Sequence, residues 1–369
     1  MRAFEFTVKE AEKPKVGRAW QHAEDLVIVD GSAGAMRALD SLEAMAKDVK
    51  DVRIKWDGSP AIYFGRDESG EFILTDKSGY TAKGYDGKTK SAQDLERMLL
   101  SRGKEADDSR KAFAASMGQL FEKLKAITSP EFRGFIFADV LFFNQPPKNK
   151  DGDFEFTPNT VTYHIPADSD LGRRIAKSQA GIVMHQHDGE PIMGEVEGIN
   201  MMGPVFAVSH ISITTPPKVN TAKIQAAKSF VAKNAGAIDS LLDDAKLAAM
   251  KMSDLKNTLY KFVNSQVPTR NFSNLDARFD KWLPSSGVSA PKQAKIAAMK
   301  QENPGVFAAI FDTLEMIMQV KDEIIDDLDM SSPIKQSIGG KPGGEGYIKG
   351  DIKLVPRAKF TAANVEKHA

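Results

Sequence analysis

The sequence contains no cysteine among its 369 residues. This absence excludes disulfide bonds, thiol nucleophiles, cysteine-ligated zinc and iron–sulfur clusters, and it is typical of a reducing compartment. An excess of one charge is also lacking, because 50 Lys and Arg residues balance 50 Asp and Glu residues. A net charge of zero argues against a uniformly basic nucleic-acid coat protein, although it is compatible with a local basic face.

Long hydrophobic runs are lacking as well. No apolar run approaches the roughly 20 residues that a membrane-spanning helix needs, and the N-terminal stretch MRAFEFTVKEAEKPK has no apolar core of a secretory signal. We therefore expect no membrane partner and a cytoplasmic location. Apolar residues make up 41% and charged residues 27%, which is typical of a globular chain, and 369 residues predict two or three domains.

The hydrophobic pattern divides the chain into three segments. Residues 1–218 alternate strand-like runs, such as LVIVD at 26–30 and GFIFADVLFF at 134–143, with helical stretches. Residues 219–331 are rich in Ala, Lys, Leu and Met at helical spacing. The segment SSPIKQSIGGKPGG then predicts a flexible break, and strand character returns within residues 332–369. This order predicts an α+β domain that an all-helical insertion interrupts.

One short motif carries the chemistry. KWDG, residues 55–58, follows a predicted strand and opens a turn. A lysine in such a place can act as a nucleophile when its neighbours stabilise the neutral amine, and Gly58 lets the backbone approach a ligand closely. Four residues alone also occur in ordinary turns, so the interpretation depends on further motifs in a fixed order.

Five motifs in chain order resemble those of the covalent nucleotidyltransferase superfamily, which contains ATP-dependent RNA ligases, DNA ligases and mRNA capping enzymes. KWDG at 55–58 is similar to motif I, whose lysine takes the nucleotide as a phosphoramide. DKSG at 76–79 is similar to the basic-Gly motif that follows it, and FIFADVLF at 135–142 is similar to motif III. EGYI at 345–348 resembles motif IV, and IKL at 352–354 resembles motif V. The set also looks like ligase-like proteins of large tailed phages.

The resemblance implies a role for each matching residue. The catalytic residues would be Lys55 and Lys353, the second of which contacts the α-phosphate. The nucleotide-binding residues would be Asp57, Gly58, Lys77, Asp139, Phe142 and Lys353, and the metal ligand would be Glu345. Asp139 stands where the family usually has Glu, so its side chain is one methylene shorter. Glu197 opens a second EG pair, but we prefer Glu345 for motif IV because a KLV strand follows it closely.

The resemblance also implies a fold and a reaction. The fold would be an ATP-grasp-like nucleotidyltransferase domain with two antiparallel sheets and flanking helices. ATP and Mg²⁺, or Mn²⁺, would be the cofactors, and a lysyl-AMP intermediate would pass AMP to a 5′-phosphate end for joining to a 3′-hydroxyl. RNA is favoured over DNA as the partner, because no OB-like strand set follows motif V and the helical module resembles that of RNA ligases. A phage-encoded chain would act in the host cytoplasm.

Two alternatives remain open. The departures from the motifs are compatible with a catalytically silent ligase-like module that binds nucleic acid or protein. A DNA ligase or a capping-type nucleotidyltransferase would use the same motifs on other substrates. The sequence leaves the choice between RNA and DNA, the role of the helical segment and the oligomeric state undecided.

Cations within the helical segment are interleaved with aromatic residues, a pattern that suits a nucleic-acid backbone and exposed bases. A solvated face over an aromatic core explains the same pattern equally well. The nucleic-acid-binding candidates are Lys251, Lys256, Lys261, Arg270 and Arg278.

Three histidines have no assigned function. His185 and His187 lie two residues apart on a predicted strand and share a face. They could bind a metal with Glu195, although a structural role is favoured. His22, in the sequence HAED, is compatible with a helix cap or with a cluster on the substrate side.

Overall fold

The computed structural model describes residues 21–81, 89–102 and 106–368. The N-terminal stretch, for which the sequence predicts no secretory signal, lies outside these residues. The described chain is α+β, as predicted, and contains several sheets with antiparallel pairs. In this part of the chain, no helix is both long enough and apolar enough to cross a membrane.

The chain divides into two compact units. Unit 1 contains Met1–Val52, Ile213–Ser331 and Gly346–Ala369, and unit 2 contains Arg53–Ser212 and Ser332–Glu345. The helical segment therefore shares a unit with both chain ends, whereas the sequence pattern predicts boundaries after residues 218 and 331. The predicted motifs I and III and Glu345 of the predicted motif IV lie in unit 2, whereas residues 346–348 of motif IV and the predicted motif V lie in unit 1.

The helices differ widely in length. They are α1 (Leu26–Ala44), α2 (Lys77–Thr81), α3 (Ala92–Leu100), α4 (Asp108–Ile127), α5 (Asp170–Ile175), α6 (Thr221–Leu242), α7 (Asp244–Ala249), α8 (Leu255–Ser265), α9 (Leu275–Trp282), α10 (Ala290–Glu302), α11 (Val306–Ser331) and α12 (Ala362–His368). Side-chain caps define several starts: the Ser91 hydroxyl accepts from the Asp94 N–H before α3, and the Asp107 carboxylate accepts from the Arg110 N–H before α4.

The strands are mostly short. They are β1 (Gln21–His22), β2 (Val52–Ile54), β3 (Ala61–Arg66), β4 (Phe72–Asp76), β5 (Gly134–Phe142), β6 (Phe154–Phe156), β7 (Thr162–Ile165), β8 (Ala180–His187), β9 (Glu190–Pro191), β10 (Val205–Val208), β11 (Lys335–Ile338), β12 (Lys341–Pro342), β13 (Tyr347–Lys349) and β14 (Ile352–Leu354). The predicted buried strand at 134–143 is confirmed as β5. The predicted strand at 26–30 is wrong, because these residues form the first turns of α1.

A six-stranded sheet forms the framework of unit 2, with the order β10-β8-β5-β3-β4 and with β9 paired to β8. The β3–β4, β3–β5 and β5–β8 pairs are antiparallel, and the β8–β10 pair is parallel. Helices α3 and α4 supply the apolar residues that bury one face of this sheet, where Phe64, Ile136 and Ala138 join the core. Because side chains alternate along a strand, Tyr63 and its register partner Phe137 lie on the opposite face.

A second sheet of unit 2 contains β11 and β12, which precede Glu345, together with β6 and β7. Its strands lie in the order β12-β11-β7-β6, and the neighbouring pairs are antiparallel. Gly339 and Gly340 join β11 to β12 with φ angles of 57° and 79°, as a type I′ hairpin requires. The segment predicted as a flexible break therefore contains a regular strand, β11, which pairs with β7.

In unit 1, α1, α6 and α11 pack against one another. Helix α1 bends at Gly31, which has a φ of 62°, and the Asp239 carboxylate on α6 accepts hydrogen bonds from the N–H and hydroxyl of Ser32, each at 2.7 Å. An added Cβ at Gly31 would lie 2.4 Å from Asp239 Oδ1. Glycine is therefore needed both for the bend and for the close approach of α6.

The strands of unit 1 include a hairpin and a buried ion network. β13 and β14 pair antiparallel, and β14 pairs in parallel with β1. Lys321 on α11 donates to Glu24 and to the Val355 carbonyl, while Arg357 contacts both Glu24 and Asp25. All four charged side chains are buried, and because buried charges need partners, the network joins the N-terminal and C-terminal parts of unit 1.

Candidate active site

Lys55 forms an ion pair with the Glu345 carboxylate, although 290 residues separate the two in sequence. Lys55 follows β2, and Glu345 follows the β11–β12 hairpin. The side chains are largely buried, with 22% of Lys55 and 12% of Glu345 exposed. The structure therefore brings together the lysine of the predicted motif I and the glutamate of the predicted motif IV within unit 2.

Glu345 lies in a setting that disfavours its charge. Burial raises the pKa of its carboxyl, the adjacent Lys55 opposes this effect, and the negative charges of Asp57 and Asp139 add to it. Its Oε2 atom is buried and has no hydrogen-bond partner among the described residues. A buried carboxylate oxygen without a partner is costly unless a ligand completes it.

Asp57 is engaged within the chain. One of its carboxylate oxygens accepts from Asn159 Nδ2 at 2.8 Å, and the other accepts from the N–H groups of Thr160 at 2.6 Å and Val161 at 2.9 Å. These bonds fix the turn before β7. The structure thus gives the aspartate of the KWDG motif a supporting role in this turn, whereas the resemblance predicts nucleotide binding for it.

Tyr163 and Trp56 complete the buried side of this cluster. The Asp57 N–H donates to the Tyr163 hydroxyl at 2.5 Å, and the two aromatic rings lie 4.6 Å apart between centroids. Burial raises the pKa of Tyr163 well above its ordinary range, so the phenol stays neutral. The Trp56 indole N–H is buried without a hydrogen-bond partner among the described residues.

Gly58 packs directly on β5. A Cβ added at this position would lie 2.5 Å from the Asp139 Cβ and 3.1 Å from the Val140 carbonyl oxygen. The next residue continues this contact, because the Ser59 N–H donates to the same carbonyl at 2.9 Å. The absence of a side chain at Gly58 therefore allows the KWDG turn to lie against the strand that carries Asp139.

Asp139 lies on the face of the six-stranded sheet that α3 and α4 leave uncovered. Its Oδ2 atom is 3.0 Å from His185 Nε2, and the side chains are 19% and 22% exposed. Phe137 shares this face, with its ring centroid 5.5 Å from that of His185. The Lys77 ammonium lies 5.7 Å from the Phe137 centroid, so the exposed lysine after β4 belongs to the same surface.

Phe142 lies on the same face of the sheet as Asp139, because the register shifts between Val140 and Phe142, but its ring is packed in the core. It is 8% exposed, its ring centroid lies 5.1 Å from that of Phe156 and 6.0 Å from that of Phe206, and its ring covers Gly181. The structure thus gives Phe142 a core-packing role. Phe137, two residues before Asp139 on the same strand face, is the aromatic side chain that lies beside the carboxylate.

Lys353 belongs to unit 1, where it lies on β14 opposite Ile348 of β13 and His22 of β1. Lys353 follows Glu345 by eight residues in the sequence. In the hairpin of β13 and β14, Gly350 forms the turn with a φ of 57°. Burial is the main cause that lowers the pKa of His22 well below its ordinary range, and the positive charges of Arg357 and Lys353 contribute. His22 is therefore a neutral neighbour of Lys353.

The cations proposed to bind nucleic acid fall into two groups. Lys256 pairs with Asp244, Arg270 pairs with Glu366, and Arg278 donates to Asn271 and Thr269. Lys251 and Lys261 are exposed. Tyr260 is exposed, whereas three of the interleaved aromatic residues, Phe262, Phe279 and Trp282, pack in a cluster with Phe307 and Phe311. Core packing therefore accounts for these aromatic residues, and nucleic-acid binding by the five cations stays a prediction.

The remaining candidates separate in space. His187 Nε2 donates to the Arg133 carbonyl at 3.0 Å, while His185 contacts Asp139. Glu197 precedes Gly198 in a turn rather than a strand, and the Gly198 carbonyl accepts from the Ser129 N–H. In the described ranges, no three His, Asp or Glu side chains form a group that could hold a metal by themselves.

A Mg²⁺ ion is compatible with the carboxylates present. Mg²⁺ in nucleotide enzymes is usually held by one or two carboxylates together with substrate phosphates and water. Glu345 offers a buried oxygen without a partner, and its pKa responds to the nearby charge of Asp139. When substrate phosphates and water supply the other ligands, a Mg²⁺ site needs no more than two protein carboxylates.

Sequence reasoning missed three residues of this cluster. Phe137 could have been found from strand alternation, because residues two apart on a regular strand, such as Phe137 and Asp139, share a face. No local pattern connects His185 with Asp139, or Tyr163 with the KWDG turn. These contacts depend on the pairing of strands that are distant in sequence.

Comparisons with known proteins identify a family. The family model described as "Family of unknown function (DUF6267)" matches residues 20–368, and the chain belongs to this family. No curated protein and no solved structure matches the chain significantly.

Proposed function

We propose that this member of the DUF6267 family is an ATP-dependent polynucleotide ligase that acts through a lysyl-AMP intermediate, with RNA ends preferred over DNA ends. The observation that carries the proposal is the ion pair of Lys55 and Glu345 in unit 2, in which Gly58 packs on the Asp139 strand. The motif resemblance predicts this proximity for a nucleotidyltransferase. The nucleotidyltransferase fold itself belongs to the same proposal, which the α+β architecture of the described chain supports.

The first step transfers AMP to Lys55. The neutral amine attacks the α-phosphorus of ATP, a P–N bond forms, and the bond from the α-phosphorus to its bridging oxygen breaks. Pyrophosphate leaves with the electron pair. The nitrogen gives one proton to water after the attack, and before it the Lys55 ammonium of the ion pair gives one proton to the Glu345 carboxylate. Glu345 accepts a hydrogen bond from the Lys55 amine, and burial raises its pKa, so its carboxylate is a stronger base for that proton than an exposed carboxylate.

The later steps move AMP onward. An oxygen of a 5′-phosphate end attacks the adenylate phosphorus, the P–N bond breaks, and the electron pair returns to the Lys55 nitrogen. A 3′-hydroxyl then attacks the activated 5′-phosphate, which forms the phosphodiester and releases AMP. Catalysis of this kind depends mainly on positioning and on positive charge near the phosphates.

Charge stabilisation is assigned to two lysines and a metal. Lys77 supplies a positive charge on the Phe137 face, and the contact of Lys353 with the α-phosphate stays a prediction of the resemblance. Bound Mg²⁺, or Mn²⁺, held through Glu345 would neutralise phosphate charge.

A label-transfer experiment tests the proposal. The wild-type chain, Lys55→Ala and Lys125→Ala are incubated with Mg²⁺ and ATP labelled at the α-phosphate. Lys125 is an exposed lysine on α4 and serves as the matched control. We expect label on the denatured wild type and the control but not on Lys55→Ala. A phosphoramide predicts that the label survives alkali and is released by acid.

The other outcomes separate the alternatives. Label from GTP instead of ATP would indicate a capping-type enzyme. A labelled wild type is then offered 5′-phosphorylated RNA and DNA ends, and faster sealing of DNA would contradict the RNA preference. No label from ATP, GTP or NAD would refute the covalent step.

A silent binding module is the second candidate. The observation that favours it is the Asp57 carboxylate, which serves the turn at Asn159, Thr160 and Val161 instead of facing a ligand. This candidate predicts no adduct, together with nucleic-acid binding that weakens steeply as salt is raised.

A further inference from the structure

We infer that His185 is a positioning residue for the sugar of the bound nucleotide, because it orients the Asp139 carboxylate towards a ribose hydroxyl. This inference rests on the proposed function, and it adds a residue that none of the five motifs contains. The ligand class is a nucleoside triphosphate with a ribose rather than a deoxyribose.

Strand pairing places His185 beside Asp139. In the antiparallel pair of β5 and β8, Val183 is the register partner of Asp139, so His185, two residues further along β8, lies on the same face of the sheet. Phe137 pairs with Gln186 while Ala138 pairs with Met184, so His185 is also the extra residue of a β-bulge, a feature that is common beside active sites.

The imidazole is fixed from two sides. Its Nε2 atom lies 3.0 Å from Asp139 Oδ2, and its ring lies against Phe137 with 5.5 Å between centroids. The backbone of Asp139 is fixed as well, because Gly58 packs on its Cβ and Ala61 is its register partner on β3. The carboxylate thus has a defined orientation before any ligand binds.

This arrangement leaves one carboxylate oxygen for a ligand. Among the described residues, Asp139 Oδ1 accepts no hydrogen bond, whereas Oδ2 faces His185. An aspartate has a shorter reach than a glutamate and depends more on its orientation. A hydrogen bond from the imidazole supplies that orientation and leaves Oδ1 to accept from a hydroxyl of the sugar.

The surrounding charges suit a neutral hydroxyl at this position rather than a phosphate. Asp57 directly precedes Gly58, which packs on the Asp139 Cβ, so the two aspartates form a carboxylate pair on neighbouring segments. The positive charge of Lys77 lies 5.7 Å from the Phe137 centroid on the same face. Beside the carboxylate pair the site is acidic, which favours a hydrogen-bond donor such as a ribose hydroxyl.

Nucleotide binding is measured in Lys55→Ala, because this variant lacks the lysine that would form the adduct. The ligands are ATP, 2′-deoxy-ATP and 3′-deoxy-ATP. Additional variants are His185→Ala, His185→Gln and Asp139→Asn. His187→Ala is the matched control, because His187 lies on the same strand and contacts the Arg133 carbonyl instead. Urea unfolding of each variant shows that it is folded.

We expect His185→Ala to weaken ATP binding about tenfold, the usual effect of losing one hydrogen bond to a charged group. For the deoxy analogue that lacks the hydroxyl bound by Asp139, His185→Ala is expected to change the affinity less than twofold. His185→Gln, whose amide can donate to Asp139, is expected to restore part of the preference for ribose, and His187→Ala is expected to bind like the parent.

Equal effects of His185→Ala on ATP and both deoxy analogues would overturn the inference, as would no effect on any of them. If the Lys55→Ala chain binds ATP with a preference for ribose but the wild-type chain never forms an adduct, the proposed function is refuted and this inference stands. A parent chain that binds no nucleotide would overturn both.

Discussion

Replacing Asp57 with alanine tests whether the aspartate of the KWDG turn supports the fold. Its carboxylate accepts from Asn159 Nδ2 at 2.8 Å, from the Thr160 N–H at 2.6 Å and from the Val161 N–H at 2.9 Å. Hydrogen bonds to a charged group contribute about 1.5–3 kcal/mol each and are not additive, so we expect a loss of about 3–5 kcal/mol in the unfolding free energy of unit 2.

Urea unfolding followed by tryptophan fluorescence measures this loss, because Trp56 is buried next to the substituted residue. Amide hydrogen exchange at residues 159–163 gives a local measurement in unit 2. Asp151→Ala is the matched control, since Asp151 is exposed and its carboxylate accepts no hydrogen bond within the described chain. Surface substitutions of that kind usually change the unfolding free energy by at most about 0.5 kcal/mol.

The reasoning would be refuted if Asp57→Ala unfolded at the wild-type urea concentration and exchanged amides at the wild-type rate. If that variant also lost nucleotide binding, Asp57 would contact the ligand directly and the turn would be held by other groups. Asp57→Asn is informative as well, because its single carbonyl oxygen can keep part of the network. We expect its loss of stability to lie between those of the wild type and the alanine variant.

Two further predictions concern pH and packing. Burial raises the pKa of Asp329 from 3.8 to about 6, so its contribution to stability is present below its unfolded pKa and is lost as pH rises through 6. Between pH 4.5 and 7.5 the unfolding free energy of Asp329→Asn relative to wild type should therefore rise by about 2 kcal/mol, and a flat difference would contradict the shift. Gly58→Ala places a Cβ 2.5 Å from that of Asp139, and overpacking of this kind costs about 1–3 kcal/mol. Urea unfolding should show this loss, and wild-type stability would mean that the turn can move away from β5.

The strands and helices with strong patterns could be predicted from the sequence. The apolar run around Asp139 predicts a buried strand because eight of its ten residues are apolar, and β5 confirms the strand. The helical spacing of the segment 219–331 is likewise confirmed in α6 to α11. The run LVIVD was misjudged because its β-branched residues favour a strand locally, while packing in unit 1 makes it helical.

The candidate site could be predicted only in part. Motif spacing singled out Lys55, Asp139 and Glu345, and the structure places all three in unit 2. It did not predict that Asp57 would serve a neighbouring turn or that Phe142 would pack in the core. Both outcomes depend on which distant backbone groups or rings come within a few ångströms, which sequence spacing does not encode.

The sequence by itself determined the residue types available for chemistry, the helical middle segment and the glycines that permit close approach. These properties follow from composition, local periodicity and backbone freedom. Tertiary structure alone decided that a hairpin carries Glu345 to Lys55 and that the pairing of β5 with β8 places His185 beside Asp139. The physical reason is that hydrogen bonding between strands sets the register over distances of tens to hundreds of residues, and a shift of one residue moves a side chain to the other face.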